Sequence, residues 1–326
     1  MPAFWDQYPA IQTQIDQTRQ MIDRRVHVRN SDIEAAILEL SNAGGKYLRP
    51  AFFFLFTDFG KDKHTDPERL TKIAASLEIL HMATLVHDDV IDDSPLRRGK
   101  TTVQARFGKD IAVYTGDLLF TVFFELILEG MNGTPYMAIN AASMKKILMG
   151  ELDQMHLYFN QEQRIHDYLR AIAGKTAELF KLACKEGAYF SGADESVVRL
   201  AGRVGYHTGM AFQILDDILD YTADKKEFNK PILEDLGNGV YSLPLLFALE
   251  KNPAAFKPLL DKKDQLTVAD TQEIADLVIA HKGVEDARNL ARRFTEKALA
   301  DIKKLPKTTS RKYLLQLTNH LLKRKI

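Results

Sequence analysis

Asp88-Asp89-Val90-Ile91-Asp92 is the most informative segment of the chain, and its aspartate spacing is repeated in Asp216-Asp217-Ile218-Leu219-Asp220. Each copy ends a long apolar segment with helical periodicity. Residues four apart share one face of a helix, so Asp88 is expected beside Asp92 and Asp216 beside Asp220. Like charges at this spacing destabilise a bare helix, and a divalent cation removes the conflict. Carboxylate oxygens suit Mg²⁺, which binds proteins through one or two carboxylates plus substrate phosphates. Two such clusters facing one cavity would form a cage for a diphosphate.

Helical periodicity dominates the rest of the chain, and alternating strand patterns are hard to find. Asp66-Pro67 is a typical helix start. One face of the helix predicted to begin there carries His81 and the first aspartates. Glycines at 202, 205 and 209 in the second aspartate helix indicate close packing or room for a ligand. Further helices are predicted over residues 31–43, 46–60, 109–130, 136–158, 165–190, 240–251, 270–281, 284–304 and 309–323. Without repeats or dividing linkers, residues 1–326 are predicted to form one all-α domain, and the irregular segment 224–239 is predicted to be a lid.

Composition and charge exclude several classes of function. Apolar residues make up 45% of the chain, and 44 basic residues balance 44 acidic ones, so no global field favours nucleic acid. Cys184 is the single cysteine, which excludes an intramolecular disulfide and a thiolate zinc site. The N-terminus lacks a signal-peptide pattern, and no uncharged apolar run approaches the ~18 residues of a spanning helix. We therefore expect a cytoplasmic protein without a transmembrane segment.

Through several ordered motifs, the chain resembles the trans-isoprenyl diphosphate synthases (polyprenyl synthetases). The resemblance is to the medium- and long-chain type, such as the catalytic subunits of hexaprenyl and heptaprenyl diphosphate synthase. The motifs are Gly45-Lys46-Tyr47-Leu48-Arg49-Pro50, the first aspartate motif with Arg97-Arg98-Gly99, Gly116-Asp117, Gly150-Glu151-Leu152-Asp153-Gln154, Lys175-Thr176-Ala177, and the second aspartate motif with Phe212-Gln213.

The resemblance implies a bundle of roughly a dozen helices around a central cavity, the isoprenoid synthase fold. It implies a Mg²⁺-dependent condensation of isopentenyl diphosphate with an allylic diphosphate, in a protein that is usually a homodimer. The leaving diphosphate would be bound with about three Mg²⁺ ions.

The resemblance also assigns roles to individual residues. Asp88, Asp92 and Asp216 would hold Mg²⁺, with Asp89, Asp217 and Asp220 in direct or water-mediated support. The residues that would grip the allylic diphosphate are Arg97, Lys175, Thr176, Gln213 and Lys230. Those that would bind isopentenyl diphosphate are Lys46, Arg49, His81 and Arg98. Taken alone, a helical histidine such as His81 is more often a hydrogen-bonded core residue.

The chain departs from the family pattern after the second aspartate motif. Asn229 precedes Lys230 where the family usually has glycine, and Leu233 and Val240 stand where glycine and lysine are common. The loss of that lysine removes one phosphate contact from the lid.

Two positions before the first motif bear on product length. Ala83 and Thr84 lie five and four residues before Asp88, where short-chain members of the family have one or two aromatic residues. Their small size predicts a product of about C30–C40, with the cavity floor formed deeper by Phe123, Phe124 or Phe52. The alternative is that Ala83 allows close helix packing without acting on product length.

Several other functions stay open at this point. The chain could be a short-chain farnesyl or geranylgeranyl diphosphate synthase, or a catalytic subunit that needs a small partner. A class I terpene cyclase would have a second metal motif with Asn, Ser or Thr and Glu. A regulatory homologue would be expected to have lost motif aspartates, and all six are present.

Overall fold

A computed structural model describes residues 5–42, 45–62, 65–222 and 233–322. The predicted all-α fold class is confirmed for these residues. The helices are α1 (Pro9–Arg25), α2 (Ser31–Asn42), α3 (Leu48–Thr57), α4 (Pro67–Ile91), α5 (Val103–Phe107), α6 (Lys109–Met131), α7 (Tyr136–His156), α8 (Ile165–Ile172), α9 (Glu178–Phe190), α10 (Glu195–Thr222), α11 (Glu234–Gly237), α12 (Leu243–Lys251), α13 (Pro253–Leu260), α14 (Val268–Ala280), α15 (Gly283–Ile302) and α16 (Thr309–Leu322). A π-helical turn, Ala173–Ala177, joins α8 to α9, and a 3₁₀ turn spans Lys263–Gln265. The strands β1 (Leu96–Arg97) and β2 (Lys100–Thr101) form an antiparallel hairpin.

The described residues fall into two compact units. The first lies within Met1–Ala141, Ala183–Ala201 and Thr308–Tyr313, and the second within Ala142–Leu182, Gly202–Lys307 and Leu314–Ile326. The helices α7, α9, α10 and α16 each contribute residues to both units. The prediction of one domain over 1–326 stays a prediction.

Helix α4 is the centre of the first unit, where it packs against α1, α3 and most extensively α6. It starts as predicted, because the Asp66 side chain caps it by accepting a hydrogen bond from the Glu68 amide. It ends one turn after Asp88, where the Asp92 amide donates to the Asp88 carbonyl at 2.8 Å. The first aspartate motif therefore lies at the C-terminal end of the best-packed helix of this unit.

Helix α6 crosses α4 in close contact at two points. A methyl group on Gly130 would lie 3.0 Å from Ile73, and one on Gly116 would lie 2.2 Å from Nε2 of His87. Of the helices in the described part of the chain, α6 alone is long and apolar enough to cross a membrane, with a mean hydropathy of 1.8 in its most apolar window. That window is 44% buried within the protein, and core helices of globular proteins pass the same test.

In the second unit, α10 packs closely on α9 and the π-helical turn. A methyl group on Gly205 would lie 2.4 Å from the Phe180 carbonyl oxygen, and one on Gly209 would lie 2.6 Å from Cα of Ala177. The packing interpretation is therefore confirmed for Gly205 and Gly209. Helices α12, α14 and α15 pack together in the remainder of this unit.

Candidate active site

The first aspartate motif separates its three carboxylates by burial. Asp88 and Asp92 are half-exposed, whereas Asp89 is 3% exposed. Nε of Arg97 donates to Oδ1 of Asp89 at 2.7 Å. Burial raises the pKa of Asp89, and the Arg97 guanidinium opposes that shift. Asp88 and Asp92 of this motif therefore face outward, while the carboxylate of Asp89 is hydrogen-bonded to Arg97 of the hairpin.

The hairpin that carries Arg97 and Arg98 was not predicted from the sequence. Its two turn residues, Arg98 and Gly99, have φ angles of 52° and 76°, as a type I′ turn requires. A methyl group on Gly45 would lie 3.0 Å from Nη1 of Arg98, so this guanidinium lies against the loop before α3. The hairpin therefore brings Arg98 to the motif that contains Lys46.

Three of the four residues predicted to bind isopentenyl diphosphate, Arg49, His81 and Arg98, lie within electrostatic reach of one another. Burial, followed by the charges of Arg49, Arg98 and Arg97, holds the pKa of His81 well below its usual range, so His81 is neutral. Burial also lowers the pKa of Arg49 to about 10, with Glu78 opposing, and leaves the guanidinium charged at neutral pH. The site is an arginine cluster with a neutral histidine, which suits an anionic ligand.

Sequence reasoning missed Glu78, which lies one turn before His81 on α4. It is 7% exposed, and its Oε2 atom has no hydrogen-bond partner among the described residues. Burial raises its pKa, while Arg49, Arg98 and Arg19 lower it. The sequence signal that could have identified Glu78 is an acidic residue within an apolar helix, three residues before His81.

The loop before α3 is strained at Tyr47. This residue has a φ of 49° and is 2% exposed. The left-handed region costs a bulky residue on the order of 1–3 kcal/mol, so surrounding contacts must hold it. One of them joins the Tyr47 hydroxyl to Oγ of Ser41 at 2.6 Å. Lys46 precedes this residue directly, and Arg49 follows it in α3.

The second aspartate motif repeats the burial pattern with different partners. Asp216 and Asp220 are exposed, and Asp217 is 5% exposed. The Tyr168 hydroxyl donates to Oδ2 of Asp217 at 2.6 Å, and Nε2 of Gln213 donates to Oδ1 at 2.9 Å. Burial raises the pKa of Asp217 to about 8, although both hydrogen bonds oppose the shift. Tyr168 is a site residue that no sequence signal indicated.

Lys175 and Thr176 lie in the π-helical turn, a feature often found at functional sites. The predicted helix over 165–190 is therefore helical throughout but widened at this point. Oγ1 of Thr176 donates to Oε1 of Gln213 at 2.7 Å, which links the turn to the second motif.

Two residues of the motif at 150–154 hold the lysine of this turn. Nζ of Lys175 donates to Glu151 at 2.8 Å and to Gln154 at 3.0 Å. Gly150 permits this approach, because a methyl group there would lie 2.6 Å from the Lys175 amide nitrogen. Sequence reasoning quoted Glu151 and Gln154 without a role, and the structure shows them positioning Lys175.

The donor set fits Mg²⁺. Within the described ranges, no three His, Cys, Asp or Glu side chains form a ready-made metal group. Magnesium does not need one, since it keeps several waters and takes ligands from substrate phosphates. Asp88 and Asp92, which share a helix end and are half-exposed, offer the hard oxygens that this ion prefers.

The predicted lid lies mostly outside the described residues, and so do Asn229 and Lys230. Residues 234–237 of the same segment form α11. Leu233, where the family often has glycine, has a φ of 60° and a buried side chain. This position therefore has the left-handed backbone conformation that favours glycine, although its residue is leucine.

The positions predicted to control product length differ in their surroundings. Ala83 is fully buried and lies one turn before His87, on the face of α4 that packs against α6. Thr84 is half-buried, and its Oγ1 donates to the carbonyl of His81 at 2.8 Å. Of the three floor candidates, Phe52 and Phe123 are fully buried, whereas Phe124 is 41% exposed.

Comparisons with known proteins agree on one family. The polyprenyl synthetase profile matches residues 30–278. Component 2 of heptaprenyl diphosphate synthase from Bacillus subtilis is 35% identical over 98% of this chain and 90% of its own length. The crystal structure of geranylgeranyl pyrophosphate synthase from Lactobacillus brevis is 44% identical, with a TM-score of 0.93 over 98% of this chain and 99% of that one.

A third comparison carries ligands. The structure of polyprenyl synthase from Caulobacter crescentus, complexed with calcium and isoprenyl diphosphate, is 30% identical, with a TM-score of 0.90 over 98% of this chain and 97% of that one. Matches of this extent confirm the predicted isoprenoid synthase fold. The chain belongs to the polyprenyl synthetase family and is a prenyltransferase.

Proposed function

We propose that the chain condenses isopentenyl diphosphate with an allylic diphosphate and makes an all-trans polyprenyl diphosphate of about C30–C40. The observation that carries this proposal is the repeated arrangement of the aspartates. In each motif the second aspartate is buried and bonded to protein groups, and the first and fifth face outward. Arginines, Lys175 and Thr176 accompany them, and no hydrolytic nucleophile is needed.

The difficult step of this reaction is the departure of diphosphate from the allylic substrate. Asp88, Asp92 and Asp216 would hold Mg²⁺, about three ions with the diphosphate, and the bound ions would stabilise the negative charge that develops on the leaving group. Asp89, Asp217 and Asp220 support those ligands. The allylic diphosphate is gripped by Arg97, Lys175, Thr176, Gln213 and Lys230.

Isopentenyl diphosphate is bound by Lys46, Arg49, His81 and Arg98. The neutral state of His81 leaves it able to donate one hydrogen bond without adding charge to the arginine cluster. No general base stands out in either motif, so the departing diphosphate takes the proton that the product loses.

The proposed product length of about C30–C40 is supported by the small side chains of Ala83 and Thr84 and by the name of the Bacillus relative, a heptaprenyl diphosphate synthase component. The Lactobacillus structure is named for a geranylgeranyl product, which favours the short-chain alternative. Names of relatives therefore point both ways, and the small side chain of Thr84, one turn before Asp88, favours the longer product.

The assembly is proposed to be a homodimer. The Bacillus relative is named as one component of its synthase, which supports the alternative of a small partner subunit. The cytoplasmic location stays a prediction.

The test is product analysis with the purified chain alone. The protein is incubated with Mg²⁺, labelled isopentenyl diphosphate and geranyl, farnesyl or geranylgeranyl diphosphate in turn, and the products are separated by chromatography. We expect products of about C30–C40. A product that stops at C15 or C20 would establish the short-chain alternative. Activity that appears only after a small subunit is added would establish the heteromer.

A further inference from the structure

Two side chains from the N-terminal part of the chain contact the loop that carries Lys46. The indole Nε1 of Trp5 donates to the backbone carbonyl of Lys46 at 2.7 Å. The guanidinium of Arg19, in α1, lies over the ring of Tyr47 at 4.7 Å from its centroid. Both residues precede position 30, where the family match begins.

Trp5 is itself held in place by aromatic packing. It is 3% exposed, and its ring meets the ring of Tyr8 edge-on at 5.9 Å. Tyr8 meets Tyr313, at the start of α16, in the same way at 5.0 Å. Because these rings fix the indole plane, the Trp5 N–H points at a defined carbonyl rather than sampling several.

The contacts converge on the strained part of the loop. Tyr47 has left-handed backbone, and this conformation sets the direction in which the chain enters α3. Trp5 fixes the residue before it, and Arg19 covers its ring. Relaxation of Tyr47 would move Lys46 relative to Arg49, which lies three residues after Lys46.

We infer that Trp5 and Arg19 are positioning residues for isopentenyl diphosphate. They act through Lys46 and Tyr47 and hold Lys46 at the spacing from Arg49 that the diphosphate requires. The inference rests on the proposed function, in which Lys46 and Arg49 bind this substrate. It assigns a role in substrate binding to a segment that the family motifs do not include.

The first experiment replaces Trp5 by Phe, which keeps an aromatic ring and removes the N–H donor. We expect KM for isopentenyl diphosphate to rise about 3- to 10-fold, the range for one lost hydrogen bond. The KM for the allylic diphosphate and kcat stay within about twofold of wild type. Arg19→Met is expected to act in the same direction. The matched control is Arg24→Met on the same helix, since the exposed Arg24 donates only to the carbonyl of Gln20 among the described residues.

The second measurement uses the fact that Trp5 is the only tryptophan of the chain. Titration of wild-type protein with isopentenyl diphosphate should change its fluorescence, with a midpoint near KM. If Trp5→Phe does not fold, the fluorescence titration of the wild type and the KM of Arg19→Met together test the positioning role.

The outcomes separate this inference from the proposed function. Lys46→Ala and Arg49→Ala should both raise KM for isopentenyl diphosphate, and unchanged values would reject the binding site itself. If they raise it while Trp5→Phe and Arg19→Met leave it unchanged, the site stands and the positioning role is wrong. Equal effects of Trp5→Phe on both substrates and on kcat would show a general structural role and also overturn the inference.

Discussion

The two aspartate motifs share one spacing and one burial pattern, yet they stabilise their buried member differently. Asp89 is bonded to a guanidinium, that of Arg97. Asp217 is bonded to two neutral donors, Tyr168 and Gln213, and its pKa rises to about 8. Burial raises the pKa of both carboxylates, but a positive charge opposes the rise at Asp89, whereas two neutral hydrogen-bond donors oppose it at Asp217. The two motifs therefore share a burial pattern but differ in the charge of the groups that bond to the buried aspartate.

The largest effect is expected from the outward-facing aspartates, for which the motifs should behave alike. Asp88→Ala and Asp216→Ala should each lower kcat roughly 10²–10³-fold, the usual cost of one lost transition-state contact. Thermal stability without Mg²⁺ should be unchanged or slightly raised, because each change relieves carboxylate repulsion. The matched control is Asp93→Ala, whose exposed carboxylate pairs with Lys109 at 2.9 Å. Near-normal turnover in either motif variant would remove that motif from the proposed site.

The effect of a neutral partner on a buried acid can be isolated at Glu186, in α9. This side chain is fully buried, accepts from Nδ2 of Asn140 at 2.6 Å, and has its pKa raised to about 8 by burial. Oε2 of Glu186 and Oδ1 of Asn140 have no partner among the described residues when the acid is ionised. A proton on Oε2 would remove the unpaired charge from this buried atom, so the arrangement fits the neutral acid.

The predicted consequence is a stability difference that depends on pH. Folded Glu186 binds its proton more tightly than unfolded Glu186, so its contribution is complete below pH about 4.5 and is lost as pH rises towards 8. Relative to Glu186→Gln, the wild type should lose roughly 3–5 kcal/mol of unfolding free energy over that range. Denaturant unfolding at pH 5, 6.5 and 8 measures it. Parallel pH profiles for the two proteins would contradict a neutral Glu186.

A smaller difference is expected between two isosteric changes in the motifs. Asp89→Asn removes the charge that Arg97 pairs with, and should cost about 2–4 kcal/mol because the guanidinium loses its partner. Asp217→Asn keeps an oxygen for the Tyr168 hydroxyl but turns its amide group towards Nε2 of Gln213, and should cost about 1–2 kcal/mol. Denaturant unfolding without Mg²⁺ at pH 7 compares them. Equal losses in the two variants would show that the partners of the two aspartates do not matter.

Local signals predicted the first motif well because each depends only on neighbours in sequence. The Asp66-Pro67 start and the carboxylate spacing on α4 follow from capping and helical periodicity. A comparable Asn-Pro signal at Asn252-Pro253 begins α13, which was not among the predicted helices. Helix α1 was not predicted at all.

Features set by tertiary packing could not be predicted. The hairpin turn uses Arg98-Gly99 rather than the common Asn-Gly or Asp-Gly, so its pattern was not recognised. Gly150, from another helix, approaches the π-helical turn at Lys175, and no sequence period connects the two. Tyr168 reaches Asp217 across 49 residues, and no sequence period connects them.

The positions one turn before the motifs differ as well, and they lead to the smallest expected effect on stability. Thr84 stands four residues before Asp88, whereas the half-buried Phe212 stands four before Asp216. Thr84→Phe gives the first motif the residue that the second already has. Since Thr84 is half-buried, it should cost at most about 1 kcal/mol, and the dominant product should shift towards about C15–C20.

Ala83→Phe is the companion variant, and the sequence predicts the same shift for it. Its full burial on the α6 side of α4 sets a competing expectation, a loss of about 1–3 kcal/mol without a change of product. Chromatography of the products and thermal unfolding of both variants separate the two. If only Thr84→Phe shifts the product, Thr84 controls product length and Ala83 has a packing role. An unchanged product from both folded variants would place the limit on chain length elsewhere, with the buried Phe52 and Phe123 as the next positions to change.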